Sequence, residues 1–343
     1  MDVQTDVART QASEPAHRAA TVSIRIRAMR PALSAPSPVL PARKPAMIRR
    51  LSLPASAAFA LALLTTPAAA TAAGTGAPPI YAQHLVDKTL KAQPGVLIMA
   101  LHVTPPGKSG NVIIASNIGR IGKPADADDL AVIRSGQPNL EVNKAGSRFE
   151  VEMPLQDMVK DTIGALSVVF PYHAGADKGA LEQRAFAIRD QLRRHILTLK
   201  NLFDPFPFVA DAPPADTLAQ KLVDETLAAH PHLLVIGMHV TPPGGRQNVI
   251  VASNFGRIGK PGDSDDMGVV TSGKPKLEIN ADGKRFEVEL WLLDRSGASV
   301  GAISFVFPYT RGESQQALLK RAEALRDALR PRITSVAALM TRD

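Results

Sequence analysis

Two stretches of the chain gather the residue types that bind ligands or transfer protons. "SNIGRIGKPADADD" occupies residues 116–129 and "SNFGRIGKPGDSDD" occupies 253–266. Each carries an arginine, a lysine and three aspartates: Arg120, Lys123, Asp126, Asp128 and Asp129 in the first, and Arg257, Lys260, Asp263, Asp265 and Asp266 in the second. A guanidinium can clamp a carboxylate or phosphate bidentately, and a lysine adds a mobile point charge. A small-anion site is one reading of these loops. The other is a solvated loop whose charges offset one another at little energetic value. The aspartates are too closely spaced for a twelve-residue calcium loop, and no glutamate follows at the required position. The glycines fit neither a dinucleotide turn nor a phosphate-binding P-loop. No metal ligand set and no cofactor are assigned.

His102 and His239 stand on otherwise apolar stretches, each opening the string "HVTPPG". An imidazole there can contact a ligand, or can serve only to tie down the turn that the two prolines and glycine impose. His230 and His232 flank Pro231 in one copy only, and two imidazoles make an incomplete metal site. No serine sits in a nucleophile elbow, and the chain has no cysteine. No catalytic residue is assigned, and the chain is read as a binding protein rather than an enzyme. A hydrolase built on an unrecognised carboxylate and histidine stays as an alternative. Phe255 replaces Ile118, and Trp291 replaces Pro154, so a pocket lined by these positions would be more aromatic in the second copy. Repacking between core neighbours of different size explains the same exchanges.

These candidates are duplicated because the chain is. At an offset of 137 residues, "NVIIASNIGRIGKP" at 111–124 meets "NVIVASNFGRIGKP" at 248–261, with twelve of fourteen letters shared. "FEVEMPLQD" at 149–157 likewise meets "FEVELWLLD" at 286–294. Repeats of this length are domains and not solenoid units. The expected organisation is a first domain over 73–199, a linker over 200–214, a second domain over 215–338 and a tail over 339–343. The linker is proline-rich, and its Phe203, Phe206 and Phe208 should pack against a domain.

Each copy opens with an amphipathic helix, the second expected to be capped by Asp216. Apolar strands follow, then an irregular middle segment. Phe149, Val151 and Met153 then alternate with Glu150 and Glu152, the period of a strand with one covered face. "DRSG" at 294–297 reads as a tight hairpin, whereas "DMVKD" at 157–161 lacks the glycine and should be looser. A closing helix ends each copy. The fold class is α+β, with two similar domains, each an antiparallel sheet flanked by N- and C-terminal helices.

This order resembles the extracytoplasmic PAS-like or Cache family of sensor domains. The likeness rests on the leading helix, on "VIGMHVTPPGGRQNVIVASN" at 235–254, and on "FEVELWLLDRSGASVGAISFVF" at 286–307, where a D-x-x-G turn leads into an "IG" strand. The resemblance implies a small molecule bound on the concave sheet face. The residues expected to meet it are His102, Arg120, Lys123, His239, Phe255, Arg257, Lys260 and Trp291. The function read from the chain is therefore an exported small-molecule-binding or sensing protein, with a small organic anion as the ligand class and a protein partner allowed. The alternative class is a non-catalytic structural or protein-interaction module.

The formal charge of +8 is concentrated at the start, where residues 1–70 hold nine Lys or Arg against three Asp or Glu. Nearly neutral beyond that point, the chain does not read as a nucleic-acid binder. Residues 47–72 run from Met47 through Arg49 and Arg50 into an apolar stretch and small residues, the order of a cleavable signal peptide. The expected location is accordingly periplasmic or secreted, with no stable membrane span after cleavage. Residues 1–46 are expected to be a disordered or non-physiological extension.

Overall fold

A computed structural model describes residues 79–342. The first domain runs through α1 (Tyr81–Ala92), β1 (Ile98–Val103), β2 (Val112–Ser116), α2 (Ala127–Ser135), β3 (Asn139–Val142), β4 (Arg148–Gln156), β5 (Thr162–Pro171) and α3 (Lys178–Arg193). The second repeats this order: α4 (Leu218–Ala229), β6 (Val235–Val240), β7 (Val249–Ser253), α5 (Ser264–Ser272), β8 (Lys276–Ile279), β9 (Arg285–Leu293), β10 (Ser299–Pro308) and α6 (Gln315–Leu329), then a short α7 (Val336–Leu339). Each sheet has five antiparallel strands, ordered β2-β1-β5-β4-β3 and β7-β6-β10-β9-β8. These are two PAS-like domains. Among the described residues no helix is long and apolar enough to cross a membrane.

Strand alternation decides what each sheet face becomes. Met99 and Leu101 of β1, Phe149, Val151 and Met153 of β4, and Leu166, Val168 and Phe170 of β5 point to one face. There they pack under Leu85 and Val86 of α1 and Ile188 and Leu192 of α3. The second core repeats this with Met238, Phe286, Val288, Leu290, Ile303 and Phe305 under α4 and α6. The intervening residues point to the opposite, concave face, across which α2 or α5 lies.

Several local expectations change. α4 is capped by Thr217, which accepts from the Gln220 amide, while Asp216 faces Arg342 instead. The segment expected to be irregular contains a nine-residue helix in each copy. Asp126 accepts from the amides of Asp128 and Asp129, and Asp129 returns a bond to the Asp126 amide, a complete capping box. Gly136, at φ 70°, closes this helix in the left-handed region. The 157–161 turn is not looser than its counterpart. Asp157 accepts from the amides of Val159 and Asp161, as Asp294 does from those of Ser296 and Ala298. Lys160 adopts φ 70° where the second turn has Gly297.

The linker packs against the first core through Phe203 and Phe206, and the Phe206 ring stacks on His84 with centroids 3.6 Å apart. The first domain also meets the second directly. Met158 and Val159 at the β4–β5 turn, with Leu197 beyond α3, pack on Val235, Ile250, Phe255, Ile258 and Val306. Polar contacts frame this junction. His195 Nδ1 donates to the Asn254 carbonyl at 2.8 Å, Asn201 donates to the Phe255 carbonyl at 3.1 Å, and Lys284 pairs with Asp161 at 2.6 Å.

Candidate binding pockets on the concave sheet faces

Each concave face floors a cavity, about 610 Å³ in the first domain and about 450 Å³ in the second. Both fall within the size range of small-molecule sites. In the first, β1 contributes Ala100 and His102, β4 contributes Glu150 and Glu152, and β5 contributes Ser167 and Val169. A bulge between Leu101 and His102 in the β1–β2 pairing lies beside the histidine. The N-terminus of α2 comes down over it, so that His102 Nδ1 lies 3.0 Å from Asp129 Oδ2, and Asp129 is only 2% exposed. The second domain repeats the pair as His239 and Asp266 at 3.3 Å. The imidazole is therefore engaged with the helix rather than with the "TPPG" turn.

Burial sets the charge state of these walls. It pushes the Glu152 carboxyl up to about 7, Glu287 to about 7 and Glu289 to about 8, with neighbouring carboxylates adding to each rise. Glu152 accepts a hydrogen bond from Asn139 at 3.2 Å, which partly opposes its rise. Asn139 is replaced in the second domain by Lys276, which pairs with Asp265 at 2.8 Å; Glu289 Oε2 is left buried without a hydrogen bond among the described residues. Asp129 is held below the ordinary range, because His102 and the Asp126 amide outweigh the effect of burial. In the second pocket burial dominates the equivalent pair, raising Asp266 and lowering His239, and so favours the neutral forms of both.

The cavities gather most of the residues expected from the sequence. His102, Arg120 and Lys123 line the first, and His239, Phe255, Arg257 and Lys260 line the second. Trp291 is not in the lining: its Nε1 donates to the Val270 carbonyl and its ring lies against Gly273 at the end of α5. Arg257 is already committed to Asp204 of the linker at 2.7 Å. Arg120 has no ion-pair partner among the described residues. Both arginines sit in the left-handed region, at φ 62° and 61°.

Alternation sets Glu150 and Glu152 opposite the covered face of β4, yet Glu152 is only 8% exposed, and its counterpart Glu289 on β9 only 7%. The correction follows from α2 and α5, whose presence converts that face into a pocket. The identical "FEVE" at both copies was the available signal. Asp126, Asp129 and Glu152 each offer a carboxylate oxygen within 4.8 Å of the others, an arrangement that could hold a cation. Two of the three also form the α2 capping box, which gives them a structural role of their own.

No family model matches the chain, and no curated protein matches it. Solved structures match at low identity. PelD from Pseudomonas aeruginosa is 17% identical, with 76% of this chain and 80% of that chain covered and a TM-score of 0.26. The E. coli DhaR(N)–DhaL complex is 12% identical, with coverages of 67% and 86% and a TM-score of 0.25. An RNA-binding light-oxygen-voltage receptor is 10% identical, with coverages of 66% and 99% and a TM-score of 0.18. These likenesses extend to fold alone.

The periplasmic or secreted location is corrected here. The solved structures matched, an RNA-binding light-oxygen-voltage receptor among them, do not support an exported sensor. The signal-peptide and periplasm readings are withdrawn with it. Residues 47–72, which prompted them, lie outside the described residues.

Proposed function

We propose that the chain is a tandem PAS-like sensing module in which each concave pocket binds a small molecule that offers hydrogen-bond donors or positive charge. The observation that carries this reading is the lining. Six carboxylates face the first cavity against Arg120, Lys123 and Arg148, and the second has a similar excess. An amine or polyhydroxy compound would satisfy Glu152 and Glu289, whose burial is unfavourable while they stay ionised. The small organic anion expected from the loops has Arg120 and Lys123 in its favour, but it would approach these carboxylates against charge. The Cache subtype rests on the sequence resemblance of the leading helix and of segments 235–254 and 286–307. The role is one of binding and not catalysis.

A thermal-shift panel of small amines, amino acids, polyols and carboxylates on the full chain tests this. Stabilising compounds should be amines or polyols, and their shifts should shrink in the Glu152→Gln/Glu289→Gln double variant. Hits confined to carboxylates and abolished by Arg120→Gln with Lys123→Gln would establish the anion reading instead.

A further inference from the structure

The nonapeptides Ser116–Pro124 and Ser253–Pro261 differ at one position, Ile118 against Phe255, yet they stand in opposite environments. Ile258 is 5% exposed and Phe255 is 8% exposed, because the first domain and the linker cover them. Their counterparts Ile121 and Ile118 are 57% and 41% exposed, and neighbouring Leu97 is 40% exposed. The glycines report the same asymmetry. A Cβ on Gly256 would lie 2.7 Å from the Tyr81 ring, and one on Gly259 would lie 2.5 Å from Val209. At Gly119 and Gly122 a Cβ would meet nothing within 4 Å.

We propose that the Leu97–Ile118–Ile121 face of the first domain is a docking surface for another protein, one presenting the surface that the first domain presents to the second. That surface is a hairpin turn tipped by apolar side chains, as at Met158 and Val159, beside a helix end carrying an apolar residue and a donor, as at Leu197 and His195. The acceptor face is continuous with an interface already built in this chain. Its Asn117 side chain donates to the Leu97 carbonyl at 2.9 Å, as Asn254 does to the Leu234 carbonyl at 2.8 Å. The backbone is therefore shaped for docking before any partner arrives. Apolar side chains this exposed and this close together gain from being covered.

A second copy of this chain in the repeat's own register is the wrong occupant. The positions equivalent to Met158, Val159 and Leu197 are Arg295, Ser296 and Thr334, all exposed and polar. Head-to-tail stacking is thus opposed by the polar turn of the second domain, and the partner is a different chain with an apolar turn. Leu97 and Ile118 also line the first pocket, so docking there would narrow its mouth.

The full chain supplies its own probe. The Arg295→Met/Ser296→Val/Thr334→Leu variant gives the second domain the apolar turn of the first. Sedimentation velocity over a concentration series should then show a sedimentation coefficient that climbs with concentration, while the wild type stays constant. Adding Ile118→Asp and Ile121→Asp should abolish the climb. All five positions are exposed, and unchanged circular-dichroism melts would establish that each variant folds. A folded triple variant that stays monomeric overturns the proposal, as does association insensitive to the aspartates. Wild-type association that the aspartates abolish overturns the choice of a different chain as partner.

Discussion

Replacing Glu289 by glutamine removes an ionisable group whose environment disfavours its charge, and the consequence should depend on pH. In the folded chain its carboxyl is raised from 4.5 to about 8 by burial, then by Asp266 and Glu287. Below pH 4.5 the group is protonated in both folded and unfolded chains, and wild type and variant should differ little. As the pH rises towards 8, the unfolded chain ionises freely while the folded chain holds its proton, so wild-type stability falls. Above pH 8 the loss is complete. At about 1.4 kcal/mol per pH unit the ceiling is roughly 5 kcal/mol, and water entering the open pocket screens this to about 2 kcal/mol. Relief of Asp266 and Glu287 in the variant acts in the same direction. Urea unfolding at pH 5, 7 and 9 reads the effect. Trp291, the sole tryptophan, lies on β9 and reports the second domain by fluorescence. The variant should gain little at pH 5 and about 2 kcal/mol at pH 9. An equal difference at both values, or a variant less stable at pH 9, would refute a desolvated Glu289.

Four further substitutions probe the scaffold. Gly164→Ala and Gly301→Ala each place a Cβ 2.1 Å from the carbonyl oxygen of His102 or His239; each should cost more than about 3 kcal/mol in chemical denaturation, because backbone must move. Lys160→Gly relieves a left-handed φ of 70° and should stabilise the first domain by roughly 0.5–1 kcal/mol in the same assay. Met158→Ala, at a side chain 1% exposed, should cost about 3 kcal/mol and separate the unfolding transitions of the two domains, read by comparing Trp291 fluorescence with circular dichroism.

The duplication, the sheet and the outer helices were legible because they rest on local periodicity and on repeated letters. α2 and α5 were hidden because each buries only two side chains, Asp129 and Val132 or Asp266 and Val269, which leaves no apolar stripe. Their trace was the capping aspartate followed three residues later by a second aspartate, a spacing first weighed as ligand chemistry. Without those helices, Glu152 and Glu289 read as solvent-facing. His102, Arg120, Lys123 and Phe255, singled out by residue type and by comparison of the two copies, fall in the cavity linings. Trp291 does not, and its position beneath the end of α5 depends on a helix the pattern did not reveal. The different fates of Arg120 and Arg257, and of Ile121 and Ile258, lay beyond any local reading. Identical letters surround them, and only the packing of one domain on the next separates them.

The central claim is that the concave pockets hold a donor-bearing small molecule. Mass spectrometry of molecules released by denaturing freshly purified full chain tests it most directly, with the Glu152→Gln/Glu289→Gln variant run in parallel. The account expects an amine or polyhydroxy compound from the wild type, recovered in much smaller amount from the variant. Release of a carboxylate that both proteins retain equally would contradict it.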